Sequence, residues 1–323
     1  MAHAPAPSCP RCGAPRATGP ECPRCGVIYA KARPRATAPP APPGPEEPLP
    51  GLGAAGVALG MPAPARWSGE LDGARRELWI RAVAAPAALL LALAMVASGP
   101  GHALLRTFLS MWIHELGHAA AAWLCGHGAF PGPWRTPISA GRLPVVVIGV
   151  AAALAALAWR GWRSGRRALL AAGAAGLAVQ LVCTLLPGAT ARALITFGGD
   201  AGCMVIGAAL VATIWADPEG PLGRGSLRWG FLVIGAAALV DALHGWVRAW
   251  RDPGELPLGE IEGVGLSDAS TLMQVHGWSA SALSGRYVAL GLACLAALGA
   301  AYALMLARAR AAVAAAERQG GPS

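Results

Sequence analysis

The sequence predicts an all-α polytopic membrane protein, with about six transmembrane helices behind a small cysteine-bearing N-terminal module. Three observations carry this. Of the 323 residues, 55% are hydrophobic and only 13% charged, with a mean hydropathy of +0.48; a soluble chain carries about 25% charged residues. From Leu78 onward, apolar runs recur at the length of about 20 residues that a helix needs to span a bilayer. Four of the eight cysteines crowd into the first 25 residues. This composition excludes long-range disorder and an ordinary cytosolic enzyme, either of which needs more polar surface.

The net charge of +9 is almost entirely arginine, since Lys31 is the only lysine. The arginines fall in short clusters between apolar runs. That is the pattern of cytoplasmic loops rather than of a nucleic-acid surface, so nucleic acid is not an expected partner. The first 77 residues hold no apolar run long enough for a cleavable signal core.

The N-terminal cysteines form two Cys-Pro-Arg-Cys-Gly knuckles, with nine residues between Cys12 and Cys22. Each knuckle offers a pair of thiolates, and the four soft ligands Cys9, Cys12, Cys22 and Cys25 suit a tetrahedral zinc ion. A core this small folds largely on the energy of metal binding. The module resembles the short zinc ribbons at the front of many bacterial proteins, including its trailing Gly26–Lys31 stretch. The resemblance implies a structural zinc and a docking role toward a cytoplasmic protein. The expected divisions are a ribbon over 1–32, a flexible Pro/Ala-rich linker over 33–76, a membrane domain over 77–310 and a cytoplasmic tail over 311–323. Ten prolines between positions 33 and 66 carry the linker assignment.

Candidate spans are 78–98, 102–125, 143–159, 168–187, 193–215, 229–250 and 286–307. Arginines after the last span and in the 160–167 and 216–228 loops point inward. The 251–285 loop, with Asp252, Glu255, Glu260, Glu262 and Asp268, suits the outside. The basic N-terminal arm also points inward, so the ribbon and the C-terminus are expected in the cytoplasm of a cell whose inner (plasma) membrane holds the spans. Seven crossings cannot put both ends on one side. Six are therefore expected, with a break or re-entrant turn at Gly99–Gly101 or Pro131–Pro144.

One apolar segment carries charge where it should not. Between 107 and 134 the only formal charge is Glu115, flanked by His114 and His118 in His-Glu-Leu-Gly-His. A carboxylate at the centre of a membrane helix costs about 3 kcal/mol and is functional by default. Histidines at i and i+4 share a helix face and can grip one zinc ion, while the glutamate between them can take a proton from water and pass it to a leaving amine. A catalytic zinc usually has three protein ligands. Asp200, the only charge in 193–216, is the first candidate for the third. Asp241, the only charge in 229–247, is the second; His102, His127, His244 and His276 follow.

With these residues the chain resembles the site-2-protease-like intramembrane zinc metallopeptidases, as a divergent branch. In that family the histidine motif lies on one transmembrane helix, and an aspartate in a Leu-Asp-Gly setting on a later helix completes the site. His114, Glu115 and His118 match the first motif in full. Gly198-Gly199-Asp200-Ala201-Gly202 matches the second in part, without the preceding Asn-Pro. The resemblance implies a zinc endopeptidase that cleaves membrane-anchored proteins, regulatory precursors among them, within the lipid bilayer. The rival readings are a non-catalytic zinc-binding scaffold and a transporter. A scaffold has no use for Glu115 between the histidines. A transporter should spread polar residues over several spans.

Overall fold

The computed structural model of the chain describes residues 9, 14–15, 19–25, 28–29, 69–217, 220–223, 225–261 and 265–320. The linker residues 33–66 and Cys12 lie outside these. The chain divides into two compact units, 1–64 and 65–323.

The second unit is helical. Among the described residues six helices are long and apolar enough to cross a membrane: α1 (Gly69–Val96), α4 (Pro144–Arg163), α5 (Arg167–Leu185), α6 (Gly188–Ala212), α7 (Leu227–Arg251) and α9 (Ala280–Gly320). That architecture is compatible with a multi-pass membrane protein. The expected span 102–125 is helical but composite. It comprises α2 (Gly99–Leu105), a π-helical turn (Arg106–Ser110) and α3 (Met111–Leu124). The chain breaks before it at Ser98, whose hydroxyl caps α2 by accepting from Gly101 N at 3.2 Å. After α3, a small hairpin pairs β1 (His127–Ala129) with β2 (Ile138–Arg142), and Pro144 opens α4. A second hairpin, β3 (Glu260–Ile261) with β4 (Gly265–Leu266), precedes the short α8 (Asp268–Gln274).

Two boundaries differ from expectation. α1 starts at Gly69 rather than near 77, and its added polar turns carry an ion pair from Arg75 to α9. α9 runs on to Gly320 through the expected tail. The alanine-rich 311–316 favours helix, and Glu317 pairs with Arg75 of α1 at 2.8 Å.

Packing centres on α6 and α7, half of whose spans is buried, whereas the α4–α5 hairpin is almost wholly exposed. Small residues set the spacing. A Cβ on Gly198 would meet Ala121 Cβ at 2.8 Å and Gly117 O at 3.0 Å, and one on Gly202 would overlap Gly117 Cα. α3 and α6 therefore touch backbone to backbone, the close approach that small residues permit between membrane helices. Gly207 of α6 meets Gly235 of α7 in the same way, a Cβ there falling 2.9 Å from Gly235 O.

Gly202→Leu should wedge α3 from α6. Overpacking costs about 1–3 kcal/mol, or about 2–12 °C in the melting temperature of the detergent-solubilised protein. Gly149→Leu in α4, where an added Cβ meets nothing within 4 Å, should leave melting unchanged. Equal melting of the two variants would contradict the backbone contact.

Candidate metal centre

The i, i+4 spacing puts His114 and His118 on the face of α3 that meets α6, and both are over nine-tenths buried. α6 supplies the partner of each ring's inner nitrogen. His118 Nδ1 lies 2.8 Å from Ile195 O, and a carbonyl can only accept, so Nδ1 carries the proton. His114 Nδ1 lies 2.9 Å from Asp200 Oδ1 and donates to it. Both Nε2 atoms are thereby turned to one point, 3.1 Å apart. Gly199 leaves the room: a Cβ there would fall 2.6 Å from His118 Nε2 and 2.7 Å from His114 Nε2.

The third corner is Asp268, at the start of α8. Its Oδ2 lies 3.1 Å from each Nε2, closing a triangle of nearly equal sides. A tetrahedral ion at about 2.0–2.1 Å from nitrogen and oxygen ligands spaces them by about 3.3–3.4 Å. The three atoms are within a few tenths of an ångström of that geometry, so the residues fit a zinc-sized ion. The loop that carries Asp268 is cross-braced. Ser267 Oγ accepts from Ser270 N at 3.2 Å and donates to Pro257 O at 2.8 Å, while Ser270 Oγ accepts from Gly259 N at 2.9 Å.

Asp200, the first candidate for the third ligand, lies on the other side of the His114 ring. Its Oδ1 is on Nδ1, and its Oδ2 accepts from Trp246 Nε1 at 2.8 Å. Trp246 is held by stacking on Tyr287, which stacks in turn on Phe197. Asp241 is further removed. It accepts from Arg106 Nη1 at 3.2 Å and pairs with His102 Nε2 at 2.9 Å. His127 bonds to Ser139 O within the first hairpin, and His276 lines a separate cavity of about 430 Å³. The structure brings neither of these histidines, nor Asp241, to the Nε2 face.

A second set of ligand-type atoms, from His114, Asp200 and Cys203, also lies within 4.8 Å of one another. It suits a cation less. Arg106 Nη1 already stands 3.3 Å from Asp200 Oδ1, and the Cys203 thiol donates to Ser110 O at 3.6 Å. The Nε2 face opens on a cavity of about 610 Å³, whose lining includes Arg106 and Arg135.

Glu115 lines that cavity and is itself 5% exposed. Its Oε2 accepts from Thr136 Oγ1 at 2.6 Å, across the turn of the first hairpin. Thr136, Asp268 and Arg106 are not among the expected site residues. Asp268 sits among five acids of a loop expected to face the outside, where a carboxylate is no anomaly. Arg106 had a signal. His102, Arg106, Ser110, His114 and His118 recur every fourth residue through an apolar run. A polar stripe of period four winds about 40° per step on an ordinary α-helix, and the π turn over Arg106–Ser110 offsets part of that winding.

In the first unit, Cys9, Cys22 and Cys25 converge, with ligand atoms within 4.8 Å of one another and Cys9 Sγ 3.8 Å from Cys25 Sγ. Glu21 and Ile28 bridge across the knuckle, and Tyr29 packs on the buried Cys9 and Cys22. The backbone N–H of Arg24 points at the Cys22 sulfur and is the main cause of a thiol pKa lowered to about 6; burial opposes it, while the Cys25 N–H and the other two thiols assist.

Comparison of the chain with family models, with characterised proteins and with solved structures finds no match in any of the three.

Proposed function

We propose that the chain is an intramembrane zinc metalloendopeptidase that hydrolyses membrane-anchored protein substrates. Its zinc ligands are His114, His118 and Asp268, and its general base is Glu115. One observation carries the reading. Two imidazoles have their inner nitrogens occupied by acceptors, so both outer nitrogens meet a carboxylate oxygen on a 3.1 Å triangle beside a buried glutamate. Two lone pairs and a carboxylate oxygen at that spacing repel one another unless a positive charge lies between them.

Zinc bound there would polarise the scissile carbonyl and lower the pKa of water. The protein's own groups do the rest. Asp200 and Ile195 O fix the tautomers and tilt of the two rings, as partners behind metal-binding histidines do. The Thr136 hydroxyl anchors Glu115 Oε2, leaving Oε1 to take a proton from the attacking water and deliver it to the leaving amine. The cavity beside them takes a locally unwound stretch of substrate. Its walls include Met111, Trp134, Ile138, Leu258 and Leu266, which suit an apolar chain. The resemblance to site-2-protease-like enzymes supports membrane-tethered regulatory precursors as substrates. The arginine distribution supports a plasma-membrane protein with both ends in the cytoplasm, and the cysteine knuckles support a second, structural zinc where a cytoplasmic protein docks.

Purified protein should contain two zinc ions per chain. Cys9→Ser/Cys22→Ser should remove one, and His114→Ala/His118→Ala the other. Asp268→Asn should weaken the membrane site more than Asp200→Asn, for which loss of a partner behind a ligand predicts about 10–100-fold. Glu115→Gln should keep both ions yet lose cleavage of a reconstituted single-span peptide. One zinc in the wild type, removed by the cysteine changes, would overturn the enzyme reading. Both zincs with cleavage unaffected by Glu115→Gln would remove Glu115 from the chemistry.

A further inference from the structure

Behind the metal triangle lies a second layer of charge that the proposed chemistry does not use. Arg106 Nη1 stands 3.3 Å from Asp200 Oδ1 and 3.2 Å from Asp241 Oδ2, so one nitrogen joins a carboxylate of α6 to one of α7. The other oxygen of Asp241 pairs with His102 Nε2 at 2.9 Å. The Asp241 side chain is 1% exposed, that of Asp200 13% and that of His102 51%, so the layer runs from the buried core to the outside of the unit. The same Asp200 Oδ1 that receives Arg106 also receives His114 Nδ1.

We infer that Arg106 is a positioning residue for the metal site. It acts through Asp200 Oδ1, and Asp241 with His102 holds it in place. The inference rests on His114 and His118 being metal ligands. Three physical points support it. First, two buried carboxylates facing each other repel strongly where the dielectric constant is low, and a cation between them is what lets both remain side by side. Second, the cation is presented by a π turn, which sets Arg106 and His114 on one side of the composite helix so that both reach the same oxygen. Third, Trp246 pins only one oxygen of Asp200 and leaves the orientation of the other to its remaining partners. The pinned oxygen is Oδ2, and Trp246 is packed in the aromatic stack with Tyr287. Arg106 therefore decides which way Oδ1 faces, and Oδ1 decides how the His114 ring is aimed. Both contacts of Arg106 are made by Nη1 alone, not by a two-nitrogen fork. A lysine ammonium, a single point of charge, can replace it in that role, whereas it could not replace a bidentate arginine.

The test uses the full chain in nanodiscs with Co²⁺ as the probe. A Cys9→Ser/Cys22→Ser background removes the ribbon's thiolate charge-transfer and d–d bands, so the visible d–d bands that remain report the membrane site on its own. Arg106→Met, which keeps bulk and removes charge, should weaken Co²⁺ binding by about 10–100-fold, the usual size of an effect transmitted through a ligand's partner. Arg106→Lys should recover at least tenfold of that loss. In an Asp200→Asn background Arg106→Met should add no further loss, because residues acting through one another are not additive. If Arg106→Met does not fold, Asp241→Asn, nearly identical in shape, should still weaken binding and shift the d–d bands. Wild-type affinity and spectrum in Arg106→Met or Asp241→Asn would overturn the inference and leave the metal reading standing. So would a loss fully additive with that of Asp200→Asn, or no recovery with lysine. A Cys9→Ser/Cys22→Ser chain with no histidine/carboxylate bands would overturn the metal reading and the inference with it.

Discussion

The backbones of α3 and α6 meet with no side chain between them. Gly117 on one helix faces Gly198 and Gly202 on the other, and Gly199 faces the two histidine rings. Any larger residue at this crossing would move α6 outward by the width of a methyl group or more. The consequence would reach beyond packing. Ile195 O and Asp200 bond to the inner nitrogens at 2.8 and 2.9 Å, and neither bond survives a shift of that size. The orientation of both imidazoles, the meeting of their outer nitrogens and the room in front of them all follow from the same missing side chains. Between helices that gain little from hydrophobic burial against each other, close van der Waals contact of this kind is also the main source of association.

Much of the fold could be read from the positions of the apolar runs, because a helix that crosses a membrane must satisfy its own backbone and so announces itself by length. The part that could not be read is where that rule lapses. The 99–124 run looks like one helix in sequence, yet it contains a π turn, whose signature is a polar stripe of period four rather than any loss of hydrophobicity. The ends of α1 and α9 extend past the apolar runs, where the Arg75–Glu317 pair and a run of alanines accompany the helix beyond its apolar part.

The site divides along the same line. His114, Glu115 and His118 stand out because each is costly in an apolar helix. Asp200 stands out for the same reason, and its glycines do allow the close approach they suggest. What spacing could not settle is which imidazole nitrogen the carboxylate meets. That depends on the rotation of α6 about its own axis, and the rotation puts Asp200 on Nδ1. Asp268 carries no such mark. It sits in a loop rich in acids, and only the tertiary placement of residues 257–261 and 265–270, drawn back over the histidines by Ser267 and Ser270, gives it a role.

That path has a thermodynamic corollary. Two corners of the triangle are fixed to a long helix, while the third rides on a seven-residue helix at the end of a loop whose two serines and small hairpin hold it down. Affinity for an ion at the triangle is then the intrinsic affinity multiplied by the fraction of molecules in which the loop is seated. Each 1.4 kcal/mol taken from the seated state lowers apparent affinity about tenfold once the unseated form predominates. By reciprocity, an ion at the triangle draws the loop down by the same amount. A chain threading between the loop and α3 on its way into the cavity would compete with that closure. The strength with which the ion is held and the ease with which the cavity is filled are therefore set against each other by a handful of serine hydrogen bonds.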